Sequence, residues 1–502
     1  MKTAAARFSA LSVARTSVLD KARQAARLTI PGLVPEVGQN EHYTSTQPYQ
    51  SVGANGLRSL AARLHSTLFP VSVPFFRLEL DAFAAASLQT DKAKTDALLS
   101  QVSESTAALM EERNVRPIMA EVLRQLIVAG NVVVYFPLDG IPKLYRLDQF
   151  VIKRDAYGQW VDIVVQEKVY PSTLSDEIRA LIGVKIDPDK SERQVDLYTV
   201  VEKRDGTVTH WQEIEGKRLP GTEGRAPEDK SGWLAPRWLA VPGSDYGRGH
   251  VTEYMGDLMS LEDLYQSTVQ MAALASRTIF TIDPNSTADP AEFAAASSGD
   301  VILGREEDFG TLGLNKSQDF GFVVTVADKT EDRVNRGFLV QNFRNAERVT
   351  AEEIRASSEE LENTLGGTFS VLASELQKPI ATRYLYIAAQ QRRIPDVPDA
   401  IKPKILTGLA ALGRAAEVNR LRNFISDATA MLSNPTVAQE FNITNLLTRL
   451  GVEHGVLGLD ALLKSDEQKA QEQQQAMMAQ ATQAAAPGFM DAAMKAATDQ
   501  PS

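Results

Sequence analysis

The chain has 502 residues, 43% hydrophobic and 23% charged, a globular composition with material for several domains. Its 53 basic and 64 acidic residues leave a net charge of −11, which argues against a broad basic grip on nucleic acid but not against nucleic acid passing by. Cysteine is absent, so disulfides, thiolate zinc sites and cysteine nucleophiles are excluded.

The first thirty residues are basic but have no continuous apolar core. Phe8, Leu11, Val18 and Leu19 fall at helical spacing, which predicts an amphipathic helix and not a signal peptide. Leu57, Leu60, Leu64 and Leu68 share one helical face, and Pro70 stops that helix. The alternation in FFRLELD predicts a half-buried strand. An Ala-rich segment and RPIMAEVLRQLIVAG follow as helices, the second capped by Gly130. The most apolar run, QLIVAGNVVVYFP, contains Asn131 and is too short to cross a bilayer of about 30 Å as a helix. A soluble, intracellular protein with no membrane partner is expected.

Next comes a β-rich region. NVVVYFPLDG, KLYRLDQFVIKRD and QWVDIVVQEKVY read as strands, and LSDEIRALIG as a short helix. VDLYTVVEKRDGTVTHWQEIEG reads as a hairpin turning at Asp205-Gly206 in type I′ geometry. From Val251 the pattern changes. Val251, Met255, Leu258, Leu261, Tyr265 and Val269 predict one helix to Phe280, roughly 45 Å long. A compact insert with Pro at helix starts and a short strand follows, then a second helix through VADKTEDRVNRGFLV. The polar loop QNFRNAER precedes a third helix. Thr350 and Glu353 form a capping box there, and Glu352 and Glu353 favour the positive end of the helix dipole. That helix carries its apolar stripe at Ile354, Leu361, Leu365, Phe369, Leu372 and Leu376, with kinks expected at Gly366-Gly367 and Pro379. The Gln- and Ala-rich end reads as loosely helical or disordered.

Catalytic motifs are missing. There is no G-x-x-x-x-G-K-[ST] loop, no H-E-x-x-H and no G-x-S-x-G, so a nucleotide-burning motor is not expected. His42, His65, His210, His250 and His454 are scattered without metal-ligand spacing. No enzyme activity, cofactor or metal is expected. SDYGRGHV admits two readings, an anion-binding turn or a Gly-rich joint between a sheet region and a long helix, and the joint is favoured. Glu352, Glu353, Glu359, Glu360 and Glu362 fit a solvated helix face better than a cation site. Arg344 and Arg348 alone are surface arginines; repeated around a ring they would make a basic collar suited to phosphates.

Five blocks carry a resemblance to a known family: QPYQSVGANGLRSLAARLHSTLFP, LRQLIVAGNVVVYFP, KLYRLDQFVIKRDAYG, SDYGRGHVTEYMGDLMSLEDL and ERVTAEEIRASSEELENTLGGTFSVLASELQKP. With the Gln/Ala/Met-rich tail they make the chain resemble, over nearly its whole length, the portal proteins (head-to-tail connectors) of short-tailed podovirus or autographivirus phages. The resemblance implies an α+β, mostly α, portal fold of wing, stem, clip, tunnel loop and crown. It implies a dodecameric ring around a central DNA channel. Residues 1–245 would be the wing, 246–280 the first stem helix, 281–319 the clip and 320–340 the second stem helix. Residues 341–349 would be the tunnel loop, 350–392 a long channel helix, 393–465 the crown and 466–502 the tail.

On that resemblance, Gln341, Asn342, Phe343, Arg344, Asn345, Glu347 and Arg348 would face DNA in the tunnel loop. Arg333, Arg336, Glu352 and Glu353 would line the channel wall. Arg305, Glu306, Glu307 and Asp308 would dock terminase and tail proteins. Leu258, Leu261 and Tyr265 would pack the stem, and Leu258→Asp or Leu261→Asp would lose the ring. Double-stranded DNA would be contacted without regard to sequence. The other implied partners are the terminase large subunit, tail tube and adaptor proteins, scaffolding and major capsid proteins, and internal core proteins. The expected location is the virion's portal vertex, after synthesis in the bacterial host cytoplasm. Twelve copies would total about −130, a wall that repels DNA phosphates. Three rivals stay open: another ring-shaped head-completion adaptor, a magnesium-dependent nuclease, and a scaffold that never meets DNA.

Overall fold

A computed structural model describes residues 3–38, 46–70, 74–80, 92–183, 192–275, 279–286, 289–301, 309–312, 317–340, 367–395 and 401–405, with single residues 303, 305, 307, 365, 423, 426, 427 and 429. The chain divides into two compact units, Met1–Gly408 and Leu409–Ser502. In the second, Asn423, Ser426, Asp427 and Thr429 are helical and exposed.

The first unit begins with α1 (Ala4–Arg27), capped by the Thr3 hydroxyl, which accepts from the Ala6 amide at 3.3 Å. Helix α2 (Val52–Leu68) buries the predicted leucine face: Leu57, Leu60, Leu64 and Leu68 are all inaccessible to solvent. Strand β1 (Phe76–Leu80) and helices α3 (Lys92–Glu112) and α4 (Val115–Ala129) follow. Gly130 stops α4 in the left-handed conformation, φ 73°, as expected of it.

The β-rich region then lays down β2 (Val133–Tyr135), β3 (Lys143–Tyr145), β4 (Phe150–Arg154) and β5 (Trp160–Val169). A short α5 (Asp176–Ile182) leads to β6 (Val195–Arg204), β7 (Thr207–Ile214), β8 (Lys217–Arg218), β9 (Gly224–Pro227) and β10 (Trp233–Leu234). Strands β4 to β8 pair in sequence order as an antiparallel meander, and β9 pairs with the other end of β7 along the same edge as β8. Asp205 and Gly206 turn the β6–β7 hairpin at φ 48° and 70°, the two positive values a type I′ turn needs. Strand β2 sits between β10 and β3 in a second sheet. One face of the meander is covered by α1, where Ala4 and Phe8 meet Val151, Val164 and Val200. Arg15 of α1 reaches inward and donates to the carbonyls of Leu147, Asp148 and Phe150.

A turn of 3-10 helix at His250–Tyr254 opens α6 (Met255–Ala275). The helix expected from Val251 to Phe280 is therefore shorter at both ends. Ile279–Ile282, rich in β-branched and aromatic residues, forms β11 instead. After α7 (Pro290–Ala295), with Asp289 as N-cap, β12 (Phe309–Leu312) returns antiparallel to β11. Helix α8 (Ser317–Gly337) then runs back beside α6.

Beyond it come α9 (Gly367–Leu372), a π-helical turn (Ala373–Gln377), α10 (Lys378–Gln390) and β13 (Ile401–Ile405). The irregularity expected at Pro379 is this π turn. Proline has no amide to give to the carbonyl four residues back, and its ring would clash there. The widened turn removes the conflict, and the Lys378 amide bonds five residues back, to Ala373. Strand β13 pairs with β1 in register Phe76↔Ile405. Strand β13 lies within the first unit, which ends at Gly408.

Candidate functional site

The two helices that flank the expected clip, α6 and α8, position the described candidate residues. Leu258 and Leu261 of α6 are fully buried, and the Leu258 side chain lies against α2 at Gly53. Facing them, α8 buries Ala327, Thr330, Val334 and, just past its end, Phe338. Tyr265 is half-buried and donates its hydroxyl to Glu331 at 2.9 Å. Burial, with Glu331 beside it, pushes that phenol up to about 12. Leu258 and Leu261 thus serve the core of one chain before any neighbour is added, and an aspartate there attacks the fold itself.

Arg333 is 62% exposed and grips Asp257 across the pair, with Nη2 at 2.8 Å and Nε at 3.1 Å from the carboxylate. Arg336 is exposed in the last turn of α8. The outward side of α8 mixes signs, with Asp328, Lys329, Asp332, Arg333 and Arg336 all exposed. Farther along the pair the surface becomes apolar: Val269 is 51% and Phe322 72% exposed.

The expected clip is the β11–β12 ribbon with α7. Arg305 and Glu307 are exposed; Glu306 and Asp308 lie outside the described residues. So do Gln341, Asn342, Phe343, Arg344, Asn345, Glu347, Arg348, Glu352, Glu353 and the capping box at Thr350. Both ends of that stretch are described. Its near end, Gly337 to Val340, is anchored. Phe338 is buried against the rings of His250 and Tyr254, at centroid distances of 5.1 and 5.5 Å. His250 Nε2 donates to the Gly337 carbonyl at 2.9 Å. Burial holds the His250 imidazole below its ordinary range, so it is neutral. Arg63 of α2 donates to the Leu339 carbonyl. At the far end Leu365 and Leu372 are buried.

The SDYGRGHV stretch is the joint of the two readings offered. Asn131 holds the Gly247 amide at 2.6 Å and its carbonyl at 2.9 Å. A Cβ on Gly249 would stand 2.5 Å from the Val128 carbonyl oxygen, so backbone meets backbone where a phosphate would need room. Arg63, Phe338 and Asp257 drew no functional reading from the sequence, and His250 none beyond its place in SDYGRGHV. Gly337-Phe338 just after a charged helix was their one local signal. Among the described residues no group of His, Asp or Glu could hold a metal ion, and no helix is long and apolar enough to cross a membrane.

A mixed sheet region, a hairpin-tipped helix pair, an anchored exit from its second helix and a last helix returning to the sheet region make one arrangement. Comparison of the sequence with known proteins gives its family. Residues 1–457 match the family of bacteriophage head to tail connecting proteins. The portal protein of Enterobacteria phage T3 is 34% identical over 480 residues, 93% of this chain and 89% of its own. That of Escherichia phage T7 is 33% identical over 473 residues, 91% and 87% of the two chains. That of Pseudomonas phage phiKMV is 30% identical over 498 residues, 95% of each. The chain belongs to the bacteriophage head-to-tail connecting family, whose members here are portal proteins.

Proposed function

We propose that copies of this chain close into a ring of about twelve at one capsid vertex, through which double-stranded DNA enters and leaves the head. The observation that carries this is kinship to portal proteins along nine-tenths of the chain or more. The apolar surface at Val269 and Phe322 supports it, since a ring supplies the covering neighbour that a lone chain lacks. In this reading α6 and α8 are the stem, the β11–β12 ribbon with α7 is the clip, and the α1-covered sheet belongs to the wing. The clip, with Arg305 and Glu307 exposed, docks terminase during packaging and tail proteins afterwards. Scaffolding, capsid and internal core proteins meet the ring inside the head.

Residues 341–349 touch the moving DNA, with Arg344 and Arg348 as the cations. Few, sequence-independent phosphate contacts suit a polymer that must slide. The protein does no chemistry itself; the nucleotide-burning motor belongs to a separate chain. Photocrosslinking of assembled rings to DNA at rising salt tests this. Crosslinks within residues 341–349 that fade as salt rises are expected; crosslinks elsewhere, or none at low salt, refute the DNA contact.

A further inference from the structure

Four residues take the chain out of α8, and three of them are held from outside the helix. The helix closes its own end: Leu339 donates to Arg336 at 3.1 Å and Val340 to Asn335 at 2.8 Å, with Leu339 left-handed at φ 54°. This is a Schellman closure, usually built on glycine because the conformation disfavours a side chain. It leaves the Gly337 and Leu339 carbonyls open. His250 takes the first and Arg63 the second. Phe338, between them, fills the aromatic box of His250 and Tyr254 and lies over Gly56, where a Cβ would stand 2.8 Å from its ring. A Cβ on Gly337 would stand 2.2 Å from the Tyr254 ring. A helix end needs none of these contacts merely to stop. A leucine kept left-handed is over-determined by its surroundings.

We propose that Arg63 and His250 are positioning residues for DNA passage: they fix, relative to α2 and the 3-10 turn, the direction in which the chain leaves α8 toward residues 341–349. They touch no DNA; they act through two backbone carbonyls. The inference rests on the portal reading for its consequence, though not for its geometry.

The test uses the full chain as assembled rings, with Arg63→Met, Arg63→Lys, His250→Phe and His250→Gln. Ring mass, hydrogen exchange of the Leu339 and Val340 amides, and DNA packaged per head are read together. Arg63→Met rings of normal mass should exchange the Val340 amide about tenfold faster, the effect of one charge-assisted hydrogen bond. They should package several-fold less DNA. Arg63→Lys keeps a donor and should recover most of both. Unchanged exchange or unchanged packaging in Arg63→Met rings overturns the proposal, as does failure of lysine to rescue. If Arg63→Met does not fold, the histidine pair decides: glutamine, which can still donate, should protect better than phenylalanine, and equal protection overturns it. A wild-type chain that forms no ring sinks the portal reading alone, because amide exchange still reports on the clamp.

Discussion

Three imidazoles, His250 buried and His65 and His210 half-buried, tie the stability of this protein to pH. Burial holds His65, His210 and His250 below the ordinary histidine range. Their charged surroundings differ: Arg116, Arg124 and Glu111 about His65, Arg383 near His210, and Glu253 near His250. In the unfolded chain each takes a proton near pH 6.5. With folded values depressed, the stability they contribute is complete above about pH 6.5 and is lost as pH falls through their folded values. Melting temperature should therefore be flat from pH 8 to 7 and fall below 6.5, and His250→Gln should shallow that fall. A melting temperature that rises on acidification contradicts this. Gly249 sets a second residue-scale expectation. A Cβ there meets the Val128 and Ile127 carbonyl oxygens at 2.5 and 2.9 Å, both backbone, so neither yields by changing rotamer. Gly249→Ala should cost about 1–3 kcal/mol, read as an earlier unfolding transition in urea.

Among the elements, the π turn before α10 is held to the sheet region by one carboxylate. Glu375 accepts from the Arg237 backbone amide at 3.0 Å and from its guanidinium at 2.6 Å. The Arg237 side chain is almost buried, so Glu375→Ala strands a cation as well as an amide. A loss of roughly 2–3 kcal/mol is expected, with faster amide exchange through Ala373–Gln377; unaltered exchange would show that Pro379 alone sets the turn. The elements also separate what was legible in sequence from what was not. The leucine face of α2, the Gly130 cap and the Asp205-Gly206 hairpin are local patterns, and each was readable. Periodicity could not say that α6 ends before a ribbon, because helical spacing at Val269 says little about strand pairing at Ile279. Nor could it bring Arg63 to Leu339, 276 positions away, or His250 to Gly337, 87 away. Part of the candidate site was legible by family resemblance, but its loop, residues 341–349, lies outside the described residues, so only its mount has geometry.

At the scale of the whole molecule, buried and exposed apolar residues on the same helix pair make opposite predictions. Leu258 is sealed inside one chain, so Leu258→Asp should abolish folding, several kcal/mol being the cost of an unpaired buried charge. Phe322 is 72% exposed, so Phe322→Asp should leave circular dichroism unchanged while rings fall apart on a sizing column. Rings that persist with Phe322→Asp would place the subunit contact elsewhere. In the proposed ring the net charge of −11 would repeat with every copy, giving a wall that repels DNA and leaving any contact to a few local cations. All of this depends on closure. The most direct measurement is the native mass of the purified full chain, taken with electron micrographs of the same sample. At 54.9 kDa per chain, a ring of about twelve should weigh roughly 660 kDa and show a central hole. A stable species of one or two chains, under conditions where the protein is folded, would contradict the account.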